Sequence, residues 1–231
     1  MSQEKEELIK RIFSTVSPHI DFLSSLFSLG LDIYWRRRLL SYINKGDNVL
    51  DVCTGTGRLA FLVSKRIGDS GSVIGIDINP DMIKRAQKKI SPNPGNLTFM
   101  IGDSKNLPFS DSSIDAITMA FGIRNIVDRS KALKECYRVL RPGGRFLCLE
   151  LMKPANRFFR PFWRFYLFKV IPFIGGLVTG DPIPYRYLPA SIEGFYSVDG
   201  FKDLLVKHGF RVKEIKSMTC GTTNLFVALK E

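Results

Sequence analysis

The chain has 231 residues, of which 45% are hydrophobic and 24% are charged, and its formal net charge at pH 7 is +12. This composition is typical of a folded globular protein and argues against disorder, and the length is sufficient for one α/β domain with a substantial core. The excess positive charge fits a basic enzyme as well as a protein that binds nucleic acid or an anionic membrane.

The few cysteines and histidines argue against a metal centre. The four cysteines are far apart and form no CxxC pair, and the chain contains only two histidines. Such scattered cysteines are typical of buried thiols in a reducing compartment. We therefore expect no bound metal and a cytoplasmic protein.

The sequence predicts no targeting segment and no membrane span. The amino-terminal residues MSQEKEELIKR carry acids and no apolar stretch, so they predict neither a signal peptide nor a transit peptide. The longest apolar run, 170–180, falls well short of the about 18 residues that a spanning helix needs. The sequence therefore predicts a protein that is soluble or lies on a membrane surface.

Hydrophobic periodicity predicts helices over the first 45 residues, with a break at Gly30, and then an alternation of strands and helices. The later helices are expected over 57–67, 79–90, 129–140 and 198–209, and the strands over 48–53, 72–77, 97–103, 114–120, 144–151, 210–218 and 223–230. Asn79 is a plausible N-cap, followed by Pro80 at the first helical position. The pattern predicts an α/β fold with a mainly parallel seven-stranded sheet, and the closing pair of strands predicts an antiparallel edge.

A candidate ligand site follows the first two strands. Gly55 and Gly57 form the turn after the first strand, and Asp77 closes the second strand. Glycines let a backbone pass close to a ligand, and an acid at this place can accept hydrogen bonds from both ribose hydroxyls. These residues alone fit NAD and S-adenosylmethionine (SAM) equally well.

Three further features favour SAM. Asp51 precedes the glycines, where it can order the turn and face a cationic amino-acid tail. Asp103 and Ser104 end the third strand, where they can meet an adenine amino group, and a Pro142-Gly143-Gly144 turn precedes the fifth strand. Together these features resemble the class I SAM-dependent methyltransferases, with a Rossmann-like fold. The resemblance implies a SAM site made of Asp51, Thr54, Gly55, Gly57, Asp77, Ile78, Asp103, Ser104 and Phe121.

Four segments narrow the resemblance. SLGLDIYWRR (28–37), LPFSDSSIDAIT (107–118), FGIRNIVDRSKAL (121–133) and YRYLPASI (185–192) resemble the signature segments of the ubiquinone/menaquinone biosynthesis C-methyltransferases. Members of that family transfer a methyl group from SAM to a ring carbon of a polyprenylated benzoquinol or naphthoquinol. The resemblance covers about 11–212. We expect one methyltransferase domain over 1–231, with 1–45 as a helical lid and 154–198 as an insertion that faces substrate or membrane.

The chain departs from the family pattern near its amino terminus. Ile20-Asp21 stands where the family often has Tyr-Asp, and Leu23-Ser24-Ser25 where it has Met-Asn-Asp. Arg58 stands where the family usually has an acid after the glycine turn, and Asp32 stands where it usually has a histidine before the tryptophan. The carboxyl-terminal end also lacks the usual histidine. SAM binding is expected to change little, whereas the quinol headgroup and the role of the lid stay open.

Arg124 and Asn125 are the predicted catalytic residues, because the fourth strand should end beside the first and so beside the methyl donor. Arg124 can stabilise the oxyanion of a quinol, and Asn125 can donate a second hydrogen bond. The proton acceptor can be Tyr185, Tyr187, or a water held by Arg124 or by an acid. Tyr185, Tyr187 and Ser191 are expected to close the pocket. The alternative for Arg124 is a salt bridge to Asp128 or Asp103 that only shapes the loop.

Residues 151–180 combine five basic residues and eight aromatic residues with no acid. Pro161 predicts the first turn of a short helix, 161–170, that ends before Pro172. Such a segment can place its aromatic side chains below lipid headgroups and its cations at lipid phosphates. We expect 153–178 to contact the inner face of an anionic membrane. A lid over the quinol, packing on the domain, or a homodimer contact are the alternatives.

Two other functions are consistent with parts of the sequence. An RNA methyltransferase would explain the positive charge, but no Asn/Asp-Pro-Pro-aromatic motif follows the fourth strand, and we expect no appended RNA-binding domain. A non-catalytic SAM-binding or membrane-docking module is the second. We expect no nucleic-acid partner.

Overall fold

The computed structural model describes residues 2–90 and 95–231. Three helices precede the sheet: α1 (Ser2–Val16), α2 (Ile20–Phe27) and α3 (Leu31–Leu39). The predicted break lies between α2 and α3, where Gly30 has φ 77°, a left-handed conformation that favours glycine. The chain then enters the sheet at Asn48.

Within 2–90 and 95–231, seven strands form one sheet in the order β3-β2-β1-β4-β5-β7-β6. They are β1 (Asn48–Val52), β2 (Ser72–Asp77), β3 (Leu97–Ile101), β4 (Ile114–Ala120), β5 (Leu140–Leu151), β6 (Phe210–Met218) and β7 (Thr223–Lys230). The helices that alternate with them are α4 (Arg58–Ile67), α5 (Pro80–Lys88), α6 (Arg129–Val139) and α10 (Val198–Lys207). The predicted mainly parallel sheet with an antiparallel last strand is confirmed. However, β7 lies between β5 and β6, so the antiparallel strand is one position in from the edge.

Alternation along the strands builds a core on each face of the sheet. In β1, Leu50 and Val52 pack into one cluster, whereas Val49 packs into the other. Because β1 pairs with β2 on one side and β4 on the other, and both connections are parallel, the strand order reverses at β1. Ligands of such sheets bind outside the carboxyl ends of the strands near this reversal. The Pro142-Gly143-Gly144 turn bulges at the opposite end, between the pairs Ile114–Leu140 and Ala116–Arg145.

Helices fill most of the segment between β5 and α10. They are α7 (Arg160–Phe165), a π-helical segment (Tyr166–Val170), α8 (Ile171–Thr179) and α9 (Ile183–Glu193). The predicted short helix, 161–170, does not end before Pro172, because α7, the π-helical segment and α8 form one continuous helical run, 160–179. The π turn bonds the amide of Ile171 to the carbonyl of Tyr166, five residues back, and this wider turn lets the helix continue through a proline that lacks an N–H.

The apolar helical segment is longer than expected, because it spans 160–179 and not only 170–180. Within 2–90 and 95–231 it is the one helix long and apolar enough to cross a membrane, a criterion that rests on length and composition alone. Arg164 and Lys169 lie within it. A third hydrophobic cluster joins this run to the amino-terminal helices through Val16, Leu23, Trp163, Ile171, Tyr185 and Ile192. The two helical segments, far apart in sequence, therefore form one layer.

Candidate active site

A cavity of about 590 Å³ lies between the carboxyl ends of β1–β4 and this helical layer. Of the predicted SAM residues, the structure brings Asp51, Thr54, Gly55, Asp77, Ile78, Asp103, Ser104 and Phe121 to the wall, together with Arg124 and Asn125. Gly57 is not in the wall. It has φ 81° at the start of α4, and a Cβ there would lie 2.5 Å from Phe99 Cζ. Gly57 therefore permits the tight packing of the turn on Phe99 and does not face the cavity.

Asp51 organises the turn after β1. Its Oδ2 accepts a hydrogen bond from Thr54 Oγ1 at 2.6 Å, and its Oδ1 accepts one from Thr118 Oγ1 at 2.6 Å. Burial raises the pKa of Asp51 to about 6, and the two hydroxyl donors oppose that shift. A buried carboxylate in a ligand cavity is stabilised by a cation, as an ammonium group would provide.

Asp77 holds the other side of the same turn. Its Oδ2 accepts from the amide of Gly55 at 2.9 Å, and its Oδ1 accepts from the amide of Asn79 at 2.9 Å. Burial raises its pKa, and these two amides oppose the shift. A Cβ built at Gly55 would meet nothing within 4 Å, so the glycine leaves open space in the cavity wall for a ligand. Asn79 caps α5, as predicted.

Asp103 and Ser104 follow β3. Asp103 Oδ1 accepts from the amide of Lys105 at 2.9 Å, and the Lys105 ammonium contacts Glu6 Oε1 of α1 at 2.6 Å. Ser104 is buried. An acidic residue, a buried hydroxyl and the nearby apolar Ile78 are a suitable donor and acceptor set for an adenosine group.

Two of the departures from the family pattern contact each other. Arg58 Nη2 lies 2.6 Å from Asp32 Oδ2 and 2.8 Å from Ser25 Oγ. The same Asp32 oxygen also accepts from Arg36 Nη1 at 2.7 Å. Asp21, on α2, accepts from Thr56 Oγ1 at 2.5 Å and pairs with Lys89. The amino-terminal helices are thereby tied to the glycine turn by charged side chains.

Arg124 is buried and pairs with Glu150, so the salt bridge to Asp128 or Asp103 that was the alternative reading of this residue does not form. Arg124 Nη1 lies 2.6 Å from Glu150 Oε1 and 2.7 Å from the carbonyl of Phe121. Its Nε donates to Ser191 Oγ at 3.3 Å. Within the described chain these bonds use Nη1 and Nε, which leaves Nη2 for a ligand. Asp128 instead caps α6.

The predicted residues of α9 support the site from behind. Tyr187, Ser191 and Tyr185 are not in the cavity wall, and the α9 side chains that are, Leu188 and Ile192, are apolar. Tyr187 donates to Asn125 Oδ1 at 3.0 Å, and burial raises the pKa of this tyrosine. This bond makes Nδ2 the donor of Asn125, which gives one N–H to the Phe121 carbonyl at 3.3 Å and keeps the other for a ligand.

Tyr185 packs away from the cavity. Its ring fills the space where a Cβ at Gly175 would lie only 2.3 Å from Tyr185 Cγ, and it meets Phe27 edge to face. The expectation that Tyr185 closes the pocket is therefore wrong.

Two residues of the site were missed in the sequence. Glu150 is fully buried in β5, and the signal for it was a single acid within the apolar run FLCLELM. Arg36 is also buried and lines the cavity, but it lies in the run Arg36-Arg37-Arg38, where no pattern distinguishes it from its exposed neighbours. No group of three or more His, Cys, Asp or Glu side chains that could hold a metal is present in 2–90 and 95–231.

Comparison with known proteins identifies the family. The model of the ubiE/COQ5 methyltransferase family matches residues 1–230. A ubiquinone/menaquinone biosynthesis C-methyltransferase UbiE of Geotalea daltonii is 39% identical over 98% of both chains, and one of Rickettsia felis is 41% identical over 98% of this chain and 94% of its own. In structure, a SAM-dependent methyltransferase of Aquifex aeolicus aligns with a TM-score of 0.65 at 22% identity, over 85% of this chain and 89% of its own. The chain therefore belongs to the ubiE/COQ5 methyltransferase family, and the predicted enzyme class, a methyltransferase that uses SAM, is confirmed.

Proposed function

We propose that the protein transfers the methyl group of SAM to a ring carbon of a polyprenylated quinol, as in the conversion of demethylmenaquinol to menaquinol or in the benzoquinol step of ubiquinone synthesis. The observation that carries the proposal is the position of Arg124 and Asn125. Both line the same cavity as the glycine turn and Asp77, and each keeps one donor group without a protein partner among the described residues. The names of the two bacterial relatives support the same substrates.

The chain supplies the SAM site from the carboxyl ends of three strands. Asp77 would hold the ribose, Asp103 and Ser104 the adenine, and Asp51 the ammonium group, with Thr54, Gly55, Ile78 and Phe121 completing the wall. When bound, SAM supplies an electrophilic methyl group, and its remainder would leave as S-adenosylhomocysteine. The protein must then hold the acceptor carbon in line and make it nucleophilic.

Arg124 and Asn125 would make the acceptor nucleophilic. A quinol ring carbon gains electron density when a ring oxygen carries negative charge, and Arg124 Nη2 and Asn125 Nδ2 are donors suited to that oxygen. Glu150 holds Arg124, and Tyr187 holds Asn125, so both donors are preorganised. The ring carbon that gains the methyl group loses a proton. Among the predicted acceptors, a water held by Arg124 or by a cavity acid fits best, because Tyr185 lies outside the wall and burial raises the pKa of Tyr187.

The outer surface of the helical layer suits a prenyl tail and an anionic membrane. Leu29 and Phe162 line the cavity and are nevertheless 79% and 75% exposed, so they flank its opening. Phe158, Phe165, Phe173 and Leu177 extend this exposed apolar surface. Arg157, Arg160, Arg164 and Lys169 accompany it. We infer that 153–178 lies on the inner, cytoplasmic face of the membrane, with 1–45 acting as a lid and the opening facing lipid.

The first test measures methyl transfer from labelled SAM to a short-chain demethylmenaquinol, to a demethylated benzoquinol and to bulk RNA in parallel. Label on one quinol is the expected result, and it identifies the headgroup. Label only on RNA would contradict the proposal. The absence of label on any acceptor, with SAM still bound, would favour a non-catalytic module.

The second test concerns Arg124. Arg124→Ala is expected to lower turnover of the quinol by about 100-fold while SAM affinity stays nearly unchanged, because the oxyanion donor is lost. If the alanine variant does not fold, Arg124→Lys is the substitute variant, because it keeps the positive charge beside Glu150. A parallel loss of SAM affinity would assign Arg124 a structural role instead.

A further inference from the structure

Arg36 of α3 carries an unpaired donor in the wall of the cavity. The residue is only 8% exposed, yet its Nε has no hydrogen-bond partner within the described residues. Its Nη1 donates to Asp32 Oδ2 at 2.7 Å and to the carbonyl of Asp32 at 3.1 Å. A buried N–H without a partner is costly, so a fixed guanidinium with a spare donor in a cavity indicates a ligand acceptor.

The charges around Arg36 favour an anion. Asp32 is shared by Arg36 and Arg58, so these three side chains, all in the cavity wall, carry one net positive charge. The remaining acid nearby on α2, Asp21, is already paired with Lys89. Burial, and next the positive charge of Arg58, lower the pKa of Arg36 to about 10, and the charge of Asp32 opposes that shift.

The position of Arg36 relates it to the methionine part of SAM. Its guanidinium lies 5.1 Å from the centre of the Phe121 ring, at the end of β4, and its charge favours the ionised form of Asp51 at the end of β1. An amino-acid group carries an ammonium and a carboxylate on one carbon. One buried acid and one buried, under-compensated arginine in the same wall match that pair of charges.

We infer that Arg36, held in place by Asp32, binds the α-carboxylate of SAM, while Asp51 faces the ammonium group. The inference rests on the SAM-binding part of the proposed function and is independent of the acceptor. Arg58 and Asp32, which replace the usual family residues, have a role in this arrangement. The pair that they form holds Arg36, the arginine that contacts the cofactor.

The test compares ligands that differ only in the carboxylate. Dissociation constants of SAM and of decarboxylated SAM are measured by calorimetry for the wild type and for Arg36→Met. We expect Arg36→Met to weaken SAM binding by about 10- to 100-fold, the range for a hydrogen bond between charged groups, and to leave the binding of decarboxylated SAM within about twofold. The preference of the wild type for SAM over its decarboxylated form should disappear.

The matched control is Arg37→Met, because Arg37 is the next residue on α3 and its side chain is exposed. It is expected to bind both ligands as the wild type does. Arg36→Met leaves Asp32 paired with Arg58, so the fold should persist. Where it does not, Arg36→Lys, which keeps the charge and loses the fork of donors, is expected to weaken SAM alone by several-fold.

Three outcomes would overturn the inference: equal weakening of both ligands in Arg36→Met, no weakening of either, or a wild type that binds decarboxylated SAM as tightly as SAM. None of these outcomes depends on a quinol. Failure of the acceptor assay would leave this inference standing, and failure of this inference would leave methyl transfer to a quinol intact.

Discussion

The floor and the roof of the cavity are built in different ways. The floor consists of the carboxyl ends of β1–β4, where buried polar groups bond over short distances along the chain or to a neighbouring strand, as Asp51 does with Thr54 and Thr118. The roof consists of α1–α3 and α7–α9, which meet through apolar contacts between residues more than 100 positions apart, such as Phe27 with Tyr185. The floor is therefore a property of the sheet, whereas the roof exists only when two distant segments pack.

The division matches two kinds of ligand. Charged and hydroxyl groups at the floor suit the polar parts of SAM, and the exposed aromatic residues of the roof suit a prenyl chain or lipid. Arg36 and Arg124 stand where floor and roof meet, since each is buried against both. Substitutions in the floor should therefore affect the binding of SAM, whereas substitutions in the roof should affect the binding of the prenyl chain or of lipid.

The largest effect is expected from the floor. Asp77→Ala removes the acceptor that holds the Gly55 amide and the proposed ribose contact, so SAM affinity should fall by more than about 100-fold. Asp81→Ala, an exposed acid four residues later, is the control and should bind as the wild type does. Micromolar affinity retained in Asp77→Ala would refute the ribose role. Calorimetry with SAM measures both.

The buried ion pair of Arg124 and Glu150, at the boundary between floor and roof, should contribute measurably to the free energy of unfolding. Glu150→Gln leaves the Arg124 cation buried without its counter-charge, and we expect a loss of about 3 kcal/mol in the free energy of unfolding by urea. Glu193→Gln breaks the partly exposed pair with Arg164 and should cost less than about 1 kcal/mol. Equal losses would mean that the buried pair carries no special weight.

A smaller effect is expected from the roof. Phe165→Ser combined with Phe173→Ser removes two exposed rings that do not line the cavity, and binding to vesicles with anionic lipid should fall by at least about tenfold. Methyl transfer to a soluble short-chain quinol should not change. The control is Val206→Ser on α10, an exposed apolar side chain outside the roof. A wild type that binds no vesicles but dimerises would assign these rings to a contact between copies.

The smallest effect concerns pH. The pKa of Asp51 is raised to about 6, and only its ionised form can pair with the ammonium group of SAM. As pH falls from 7 to 5 the ionised fraction of Asp51 falls about tenfold, so SAM affinity should drop by at most about that factor. Asp51→Asn should bind SAM more weakly at pH 7 and show a shallower pH dependence, with Asp77, whose pKa is also raised, accounting for the remainder. An unchanged slope would exclude Asp51 as the titrating group.

The floor was largely predictable from the sequence. Short apolar strands, a glycine turn and acids at strand ends define the sheet and its ligand edge, because parallel strands place their carboxyl ends together. Gly57 was predicted to contact SAM, but it lies outside the cavity wall. The same glycine pattern can serve ligand contact or close packing, and here the neighbouring Phe99 ring requires a glycine for packing.

The sequence predicted the composition of the roof, but not the bounds of its helices or their packing. The sequence showed an aromatic and basic segment, but a proline was expected to end its helix, and the π turn that accommodates Pro172 has no local signature. The tyrosines of α9 were expected in the pocket. They lie behind it because α9 packs on α8 and on the loop after β4, which the spacing of one helix does not specify.

By itself, then, the sequence determined the class of fold, the family and the edge of the sheet that binds SAM, because these depend on periodicity and on residues close together in the chain or at strand ends. Only the tertiary structure decided the partners of charged groups: Glu150 for Arg124, and Asp32 for both Arg36 and Arg58. The physical reason is that an ion pair depends on distance in space. Two side chains on separate elements come within 3 Å only after the sheet and the helical layer have packed.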